Sequence, residues 1–234
     1  MGRRDPDGNR ESLLAGSHVA GFPWRLVTVD IDGTLTLVHG WREIAIAFGR
    51  LPEFNATNRQ FAANEIGEDQ HLTNLLEIAD GHTVEEVDAV LRTTPKLSGI
   101  TEGVRELHEQ GARVALLSHN PSYVAEWYER TFGFDDFDAV DAQEVDHGRI
   151  GPCTGVHADK PGGFRALVTR SGATPPQGVH VGDSWSDAEV FRIAGGGVAL
   201  NSRDPEVNRL ADLALSTRDF RDVVRGLSRL VPRR

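Results

Sequence analysis

Four short apolar runs, each stopping at a polar or glycine-rich turn, constrain this 234-residue chain more than any other feature. Residues 26–29 run into Asp30, 114–117 into Ser118, 179–181 into Gly182-Asp183, and 198–200 into Asn201; Ala139-Val140 is a weaker candidate strand. Helical patterns with start signals lie between them. Thr101 precedes Val104, Leu107 and His108, and Ser122 precedes Val124, Trp127 and Tyr128. Ser186 and Glu189 have capping-box spacing, and Asp204-Pro205 reads as a cap and first turn. Strands alternating with helices predict a parallel sheet covered on both faces, an α/β Rossmann-like core. In such sheets the chemistry sits at the carboxyl ends of the strands, where these polar residues fall. Asp146-His147-Gly148, between Val145 and Ile150, reads as a small hairpin turn.

One interval breaks the rhythm. More than eighty residues separate Asp32 from Ser118, far more than one crossover needs. Trp41, Ile44, Ala45 and Phe48 share one helical face, and Leu72, Leu75, Leu76 and Ala79 another. Thr83 and Glu86 form a capping box leading into Val87, Val90 and Leu91. The expectation is a helical cap over residues 39–98, inserted between the first and second motif strands. The catalytic core is then 23–38 and 99–234, with 1–22 a flexible extension that lacks a hydrophobic signal core.

A formal net charge of -10 argues against nucleic acid as a partner. No apolar run approaches a membrane span, and Cys153 is the only cysteine, so a cytoplasmic location is expected. Of 25 basic residues only Lys96 and Lys160 are lysines, which makes each worth inspecting as a compact point charge in an arginine-rich background.

In Asp30-Ile31-Asp32-Gly33-Thr34 the two aspartates are two apart at a strand end and face one side. Gly33 lets the chain turn and bring backbone N–H groups toward an anion. Ser118 offers a hydroxyl to a phosphoryl oxygen, though a turn or helix-cap serine looks the same. Lys160, beside Pro161-Gly162-Gly163, is equally readable as a solvated lysine. Asp183 and Asp187, in Gly182-Asp183-Ser184-Trp185-Ser186-Asp187, are equally readable as a turn residue and a first-turn helix acid. Four such elements in this order, each at an expected strand end, are hard to explain as turns.

Together these motifs resemble the haloacid dehalogenase superfamily of phosphohydrolases, and the insert after the first motif resembles its phosphoserine phosphatase-like branch. The resemblance covers nearly all of residues 25–215. It implies that Asp30 attacks phosphorus to form an aspartyl-phosphate. Asp32 then protonates the leaving alcohol and later activates water. Ser118 and Lys160 hold the transferred phosphoryl oxygens, with Gly33 and His119 as further phosphate contacts. Mg²⁺ is bound by the Asp30 carboxylate, the Asp32 backbone carbonyl and Asp183, with Asp187 in support. The chemistry is coherent: a carboxylate attacking a phosphate anion needs a cation to offset the repulsion. Asp32 speaks for phosphate esters over halides, since halide departs without a proton.

The substrate-reading positions depart from the branch. Its ammonium-reading glutamate, nine residues after the nucleophile, is replaced by His39. Its cap arginine falls at Leu75, beside Asn74, with Arg59 as a substitute from elsewhere. Ser118-His119-Asn120 replaces a glycine-rich run. A small phosphorylated metabolite other than phosphoserine is therefore expected, acted on by a monomer or homodimer. His39, Trp41, His71 and Trp185 are candidate pocket residues, Trp41 reading equally as core. A phosphomutase or phosphotransferase on the same scaffold, and a non-enzymatic phosphoryl-ligand binder, remain alternatives.

Overall fold

The computed structural model describes residues 21–233. Most of the expected N-terminal extension lies outside these residues; Phe22, assigned to it from the sequence, is buried in the core.

The chain begins with β1 (Leu26–Val29), all four residues buried. Helices α1 (Gly40–Ala47), α2 (Leu51–Ala62), α3 (Glu68–Leu76) and α4 (Val84–Thr93) follow, then α5 (Ile100–Glu109) and β2 (Arg113–Pro121). Next come α6 (Ser122–Phe132), β3 (Asp136–Val140), and a hairpin of β4 (Gln143–Asp146) and β5 (Arg149–Cys153). The remainder alternates: α7 (Lys160–Ser171), β6 (Gly178–Gly182), α8 (Trp185–Phe191), β7 (Gly196–Leu200), α9 (Pro205–Leu210), β8 (Leu213–Leu215) and α10 (Phe220–Leu227).

Six strands form one sheet in the order β3-β2-β1-β6-β7-β8, with every neighbouring pair parallel. Helices cover both faces, which is why β1, β6 and β7 are apolar and buried throughout rather than alternating. The amphipathic α10 shows how the cover is made. Phe220, Val223, Val224 and Leu227, at helical spacing, are fully buried against the sheet layer and α5. Trp24 adds a tie, its indole N–H donating to the Leu227 carbonyl at 3.0 Å.

Four helices, α1 to α4, fill the long interval between β1 and α5. Two segments connect them to the sheet, and these pair antiparallel. Leu37 N–H donates to Pro95 O, and Leu97 N–H to Leu35 O, both at 2.9 Å. Lys96 lies here, its ammonium on the Leu91 and Thr94 carbonyls and 5.0 Å from the Trp127 ring. The Thr83–Glu86 capping box is present at α4. The β4–β5 hairpin turns on His147 and Gly148, both with positive φ, the primed geometry that matches strand twist.

Three local expectations change. Helix α5 starts at Ile100 after Gly99 in the left-handed region, not after Thr101. The box at α8 is Ser184 with Asp187, not Ser186 with Glu189. Strand β2 runs on past Leu117 to Pro121, with its register against β3 shifting between those residues. Ser118 thus lies within an irregular stretch of strand, where bulges commonly re-aim side chains.

Candidate active site

Asp30 leaves the end of β1 with its backbone N–H held by Val181 O of β6 at 2.9 Å. Its side chain is almost wholly buried. Lys160, the first residue of α7, reaches it from the next layer: Nζ lies 2.9 Å from Asp30 Oδ1 and 2.7 Å from Asp187 Oδ1. The cap of α7 is Asp159, whose side chain accepts from Gly162 N–H. Far from being a solvated lysine, Lys160 is 4% exposed. Burial opposes its charge, but Asp187 and Asp30 outweigh that and hold its pKa above the usual lysine value.

One ammonium serves two buried carboxylates, and the balance falls to Asp187. Its Oδ1 also takes His180 Nε2 at 2.9 Å. Its Oδ2 accepts from Asp183 N–H, Ser184 N–H and the Ser184 hydroxyl at 3.1, 2.9 and 2.6 Å. Despite burial, Lys160 and His180 hold the Asp187 carboxyl well below its ordinary range. Asp30, with fewer donors, is pushed up to about 8, chiefly by burial. His180 is fully buried, and burial lowers its pKa. Neutral, it donates from Nε2 and accepts at Nδ1 from the Thr28 hydroxyl 2.8 Å away.

Asp183 completes the carboxylate group. Oxygens of Asp30, Asp183 and Asp187 lie within 4.8 Å of one another. Burial, then Asp187, raises Asp183 to about 7. Three crowded carboxylates with one ammonium carry surplus negative charge, and the donors are all oxygen, so the site fits a hard divalent cation such as Mg²⁺. Gly33 makes the crowding possible: a Cβ there would lie 2.4 Å from Asp183 Oδ2, and its φ of +79° belongs to glycine. Thr34 adds a hydroxyl contact to Asp183 Oδ1 at 3.2 Å.

Asp32 is held differently. Its Oδ1 accepts from Gly40 N–H at 2.7 Å, and Oδ2 accepts from Asn120 Nδ2 at 3.3 Å. His39 Nδ1 stands 3.9 Å from Oδ2. Asn120 also donates to Ser118 Oγ at 3.0 Å, tying the second motif to the first.

Asp30, Asp32, His39, Trp41, Ser118, His119 and Lys160 all line one cavity of about 470 Å³ between the sheet's carboxyl end and the inserted helices. His71 and Trp185 line it too. Gly33 and Asp183 instead line an adjoining cavity, which shares Asp32, His39, Ser184 and Asp204 with the first. Arg59 is exposed on α2 and absent from the cavity wall, so it does not substitute for the missing cap arginine. Leu75, at that position, is a buried wall residue. His119 faces the inserted helices, Nδ1 lying 3.6 Å from Glu68 Oε1. Burial and the Lys160 charge push it down to about 3, so it is neutral.

Sequence reasoning missed Asn120, Gly40, His180 and Glu68. Asn120 was findable, since it lies two residues after Ser118 on the same strand side.

The family model of haloacid dehalogenase-like hydrolases matches residues 24–195. The chain belongs to that family. This haloacid dehalogenase-like hydrolase is 27% identical over 184 residues to a phosphoserine phosphatase of Archaeoglobus fulgidus, covering 77% of the chain and 53% of that relative. It thus spans about half that relative's length. It is 26% identical over 228 residues to a phosphoglycolate phosphatase of the same organism, covering 88% of the chain and 96% of the relative. Its fold matches a solved phosphoserine phosphatase carrying a phospho-aspartyl intermediate analogue, with TM-score 0.71 and 22% identity, covering 87% and 98% of the two chains. Among the described residues, no helix is long and apolar enough to cross a membrane.

Proposed function

We propose that this hydrolase is a phosphomonoesterase that transfers the phosphoryl group of a small metabolite to Asp30 and then to water. The observation that carries the reading is the pairing of two unlike carboxylates on one cavity. Asp30 is buried against Lys160, while Asp32 is held by Gly40 and Asn120 beside it.

In the first step an Asp30 carboxylate oxygen attacks phosphorus as the ester P–O bond breaks. Asp32, protonated, delivers its proton to the departing alkoxide. In the second step Asp32, now ionised, takes a proton from the water that attacks the aspartyl-phosphate, freeing phosphate and Asp30. Such proton transfer is worth roughly 100- to 10,000-fold. Lys160 and the Ser118 hydroxyl hold the phosphoryl oxygens, with His119 beside them, while Gly33, whose N–H donates to Thr36 Oγ1 at 3.0 Å, shapes the turn against Asp183. Asp187 and His180 fix Lys160 in place. Asp30, Asp183 and the Asp32 carbonyl, with Asp187 in support, would hold Mg²⁺, which would supply positive charge to offset the repulsion of two anions.

Phosphoserine is not the expected substrate. Its carboxylate calls for a guanidinium, and the wall of this cavity has none among the described residues. The test is phosphate release from a panel of phosphorylated metabolites, with EDTA and with Mg²⁺ restored. Release that needs Mg²⁺ and vanishes in Asp30→Asn supports the reading. Release that survives Asp30→Asn, or saturation by L-phosphoserine at micromolar levels, contradicts it.

A further inference from the structure

Away from the phosphoryl centre, the charges on the cavity wall are of one sign. Glu68, Glu189 and Asp204 line it, with no lysine or arginine beyond the buried Lys160 among the described residues. Of the three imidazoles on the wall, burial lowers the pKa of His71 and His119, and the third, His39, stands beside Asp32 at the phosphoryl end. Burial, then Glu189, raises the pKa of Glu68, and the opposing charge of Lys160 does not outweigh them.

Each wall couples an acid with an aromatic face. From the inserted helices come Glu68 and Phe61, the latter stacked on His71 with ring centroids 4.5 Å apart. From the core come Glu189 and Trp185, four residues apart on α8 and so on one helix face. Trp185 is half exposed and lines the cavity. Glu68 lies near the reacting centre, its Oε1 3.6 Å from the ring of His119, the neighbour of Ser118. Carboxylates interleaved with aromatic rings are the surroundings that favour an organic cation, by Coulomb attraction and by cation–π contact.

We propose that the outer cavity selects phosphate esters whose alcohol carries an ammonium group and no carboxylate, gripped between Glu68 with Phe61 and Glu189 with Trp185. The position nine residues after Asp30 takes no part as an acid, because it is His39. This inference rests on the phosphatase reading above and narrows it to amino-alcohol phosphates.

The experiment compares kcat/KM for phosphocholine and phosphoethanolamine with that for 3,3-dimethylbutyl phosphate, a neutral isostere of phosphocholine, and for L-phosphoserine. p-Nitrophenyl phosphate reports the chemistry independently. A cationic ester should exceed both the neutral isostere and L-phosphoserine by about tenfold or more. In Glu68→Gln and Glu189→Gln, the ratio of phosphocholine to its neutral isostere should fall, most in the double variant. Both glutamates are exposed, so the fold should survive either change. Hydrolysis of p-nitrophenyl phosphate with no preference for a cationic ester overturns the inference and leaves the phosphatase reading standing. A preference that neither variant reduces also overturns it. Failure to hydrolyse any of these esters in Mg²⁺ removes both.

Discussion

Gly40→Ala separates the placement of Asp32 from the stability of the fold. Gly40 is the first residue of α1, and its N–H donates to Asp32 Oδ1 at 2.7 Å. A Cβ at this position would lie 2.6 Å from that oxygen, whereas ordinary contact begins at 3.4 Å. The carboxylate must therefore retreat by about 0.8 Å and lose its shortest hydrogen bond, a displacement that costs roughly 100-fold in rate when it affects a reacting group. That is about 2.7 kcal/mol of transition-state stabilisation. Gly40 opens α1 outside the left-handed region, so alanine adds no backbone strain and the fold should survive the change. The assay is kcat/KM for an alkyl phosphate and for p-nitrophenyl phosphate, alongside thermal unfolding. An alkoxide needs the Asp32 proton far more than a nitrophenolate does. The alkyl ester should lose about 100-fold and the aryl ester distinctly less. Equal losses for the two esters, or an undiminished alkyl rate, would refute Asp32 as the proton donor.

Lys160→Met leaves Asp30 and Asp187 buried without their ammonium, which should cost about 3–5 kcal/mol by urea unfolding in EDTA. A cost under about 1 kcal/mol would mean the carboxylates escape to water when the lysine goes. Gly33→Ala sets a side chain at φ +79° against Asp183 Oδ2, and should weaken Mg²⁺ binding measured by calorimetry by about tenfold or more. An unchanged affinity would separate Asp183 from the metal. His108, on α5, pairs with Asp135 at 2.9 Å. This hydrogen bond raises the His108 pKa above 6.5, while His108 and the Val114 N–H lower that of Asp135 below 3.8 despite burial. The histidine's stabilisation is complete below pH 6.5 and fades as pH rises through its folded value. The aspartate's is complete above pH 3.8 and fades as pH falls through its folded value. His108→Gln should thus cost most near pH 5, by about 0.5–1 kcal/mol after solvent screening, and progressively less as pH rises through the folded His108 value. A constant difference across that range would contradict the pairing.

The strand ends were legible because a buried parallel strand has to be apolar and has to stop where the chain turns polar. Asp30 and Asp183 each stand just past such a stop; Ser118 ends the apolar run of β2, although the strand itself continues to Pro121. Lys160 was legible from its place before a glycine-rich helix start, but its burial was not, because no local pattern reports two carboxylates arriving from β1 and α8. The α8 box shows the limit of spacing. Ser184 and Ser186 each have a carboxylate three residues on, and only the tertiary pull of Lys160 and His180 on Asp187 selects the first. His180 reads as part of an apolar run until the sheet sets it beneath Asp187. Glu68 is more than a hundred residues from Glu189 and approaches it only when the inserted helices lie over the sheet. Specificity was the least legible part, since cavity walls are assembled from residues with no common period.

The central claim is that phosphate passes through Asp30. Enzyme mixed with a turned-over ester and Mg²⁺, quenched in acid within the first turnover, then reduced with borohydride and digested, should yield homoserine at position 30 by peptide mass spectrometry. The same treatment of Asp30→Asn should yield none. Turnover with no modification at Asp30, or phosphate trapped on any other residue, would contradict the account.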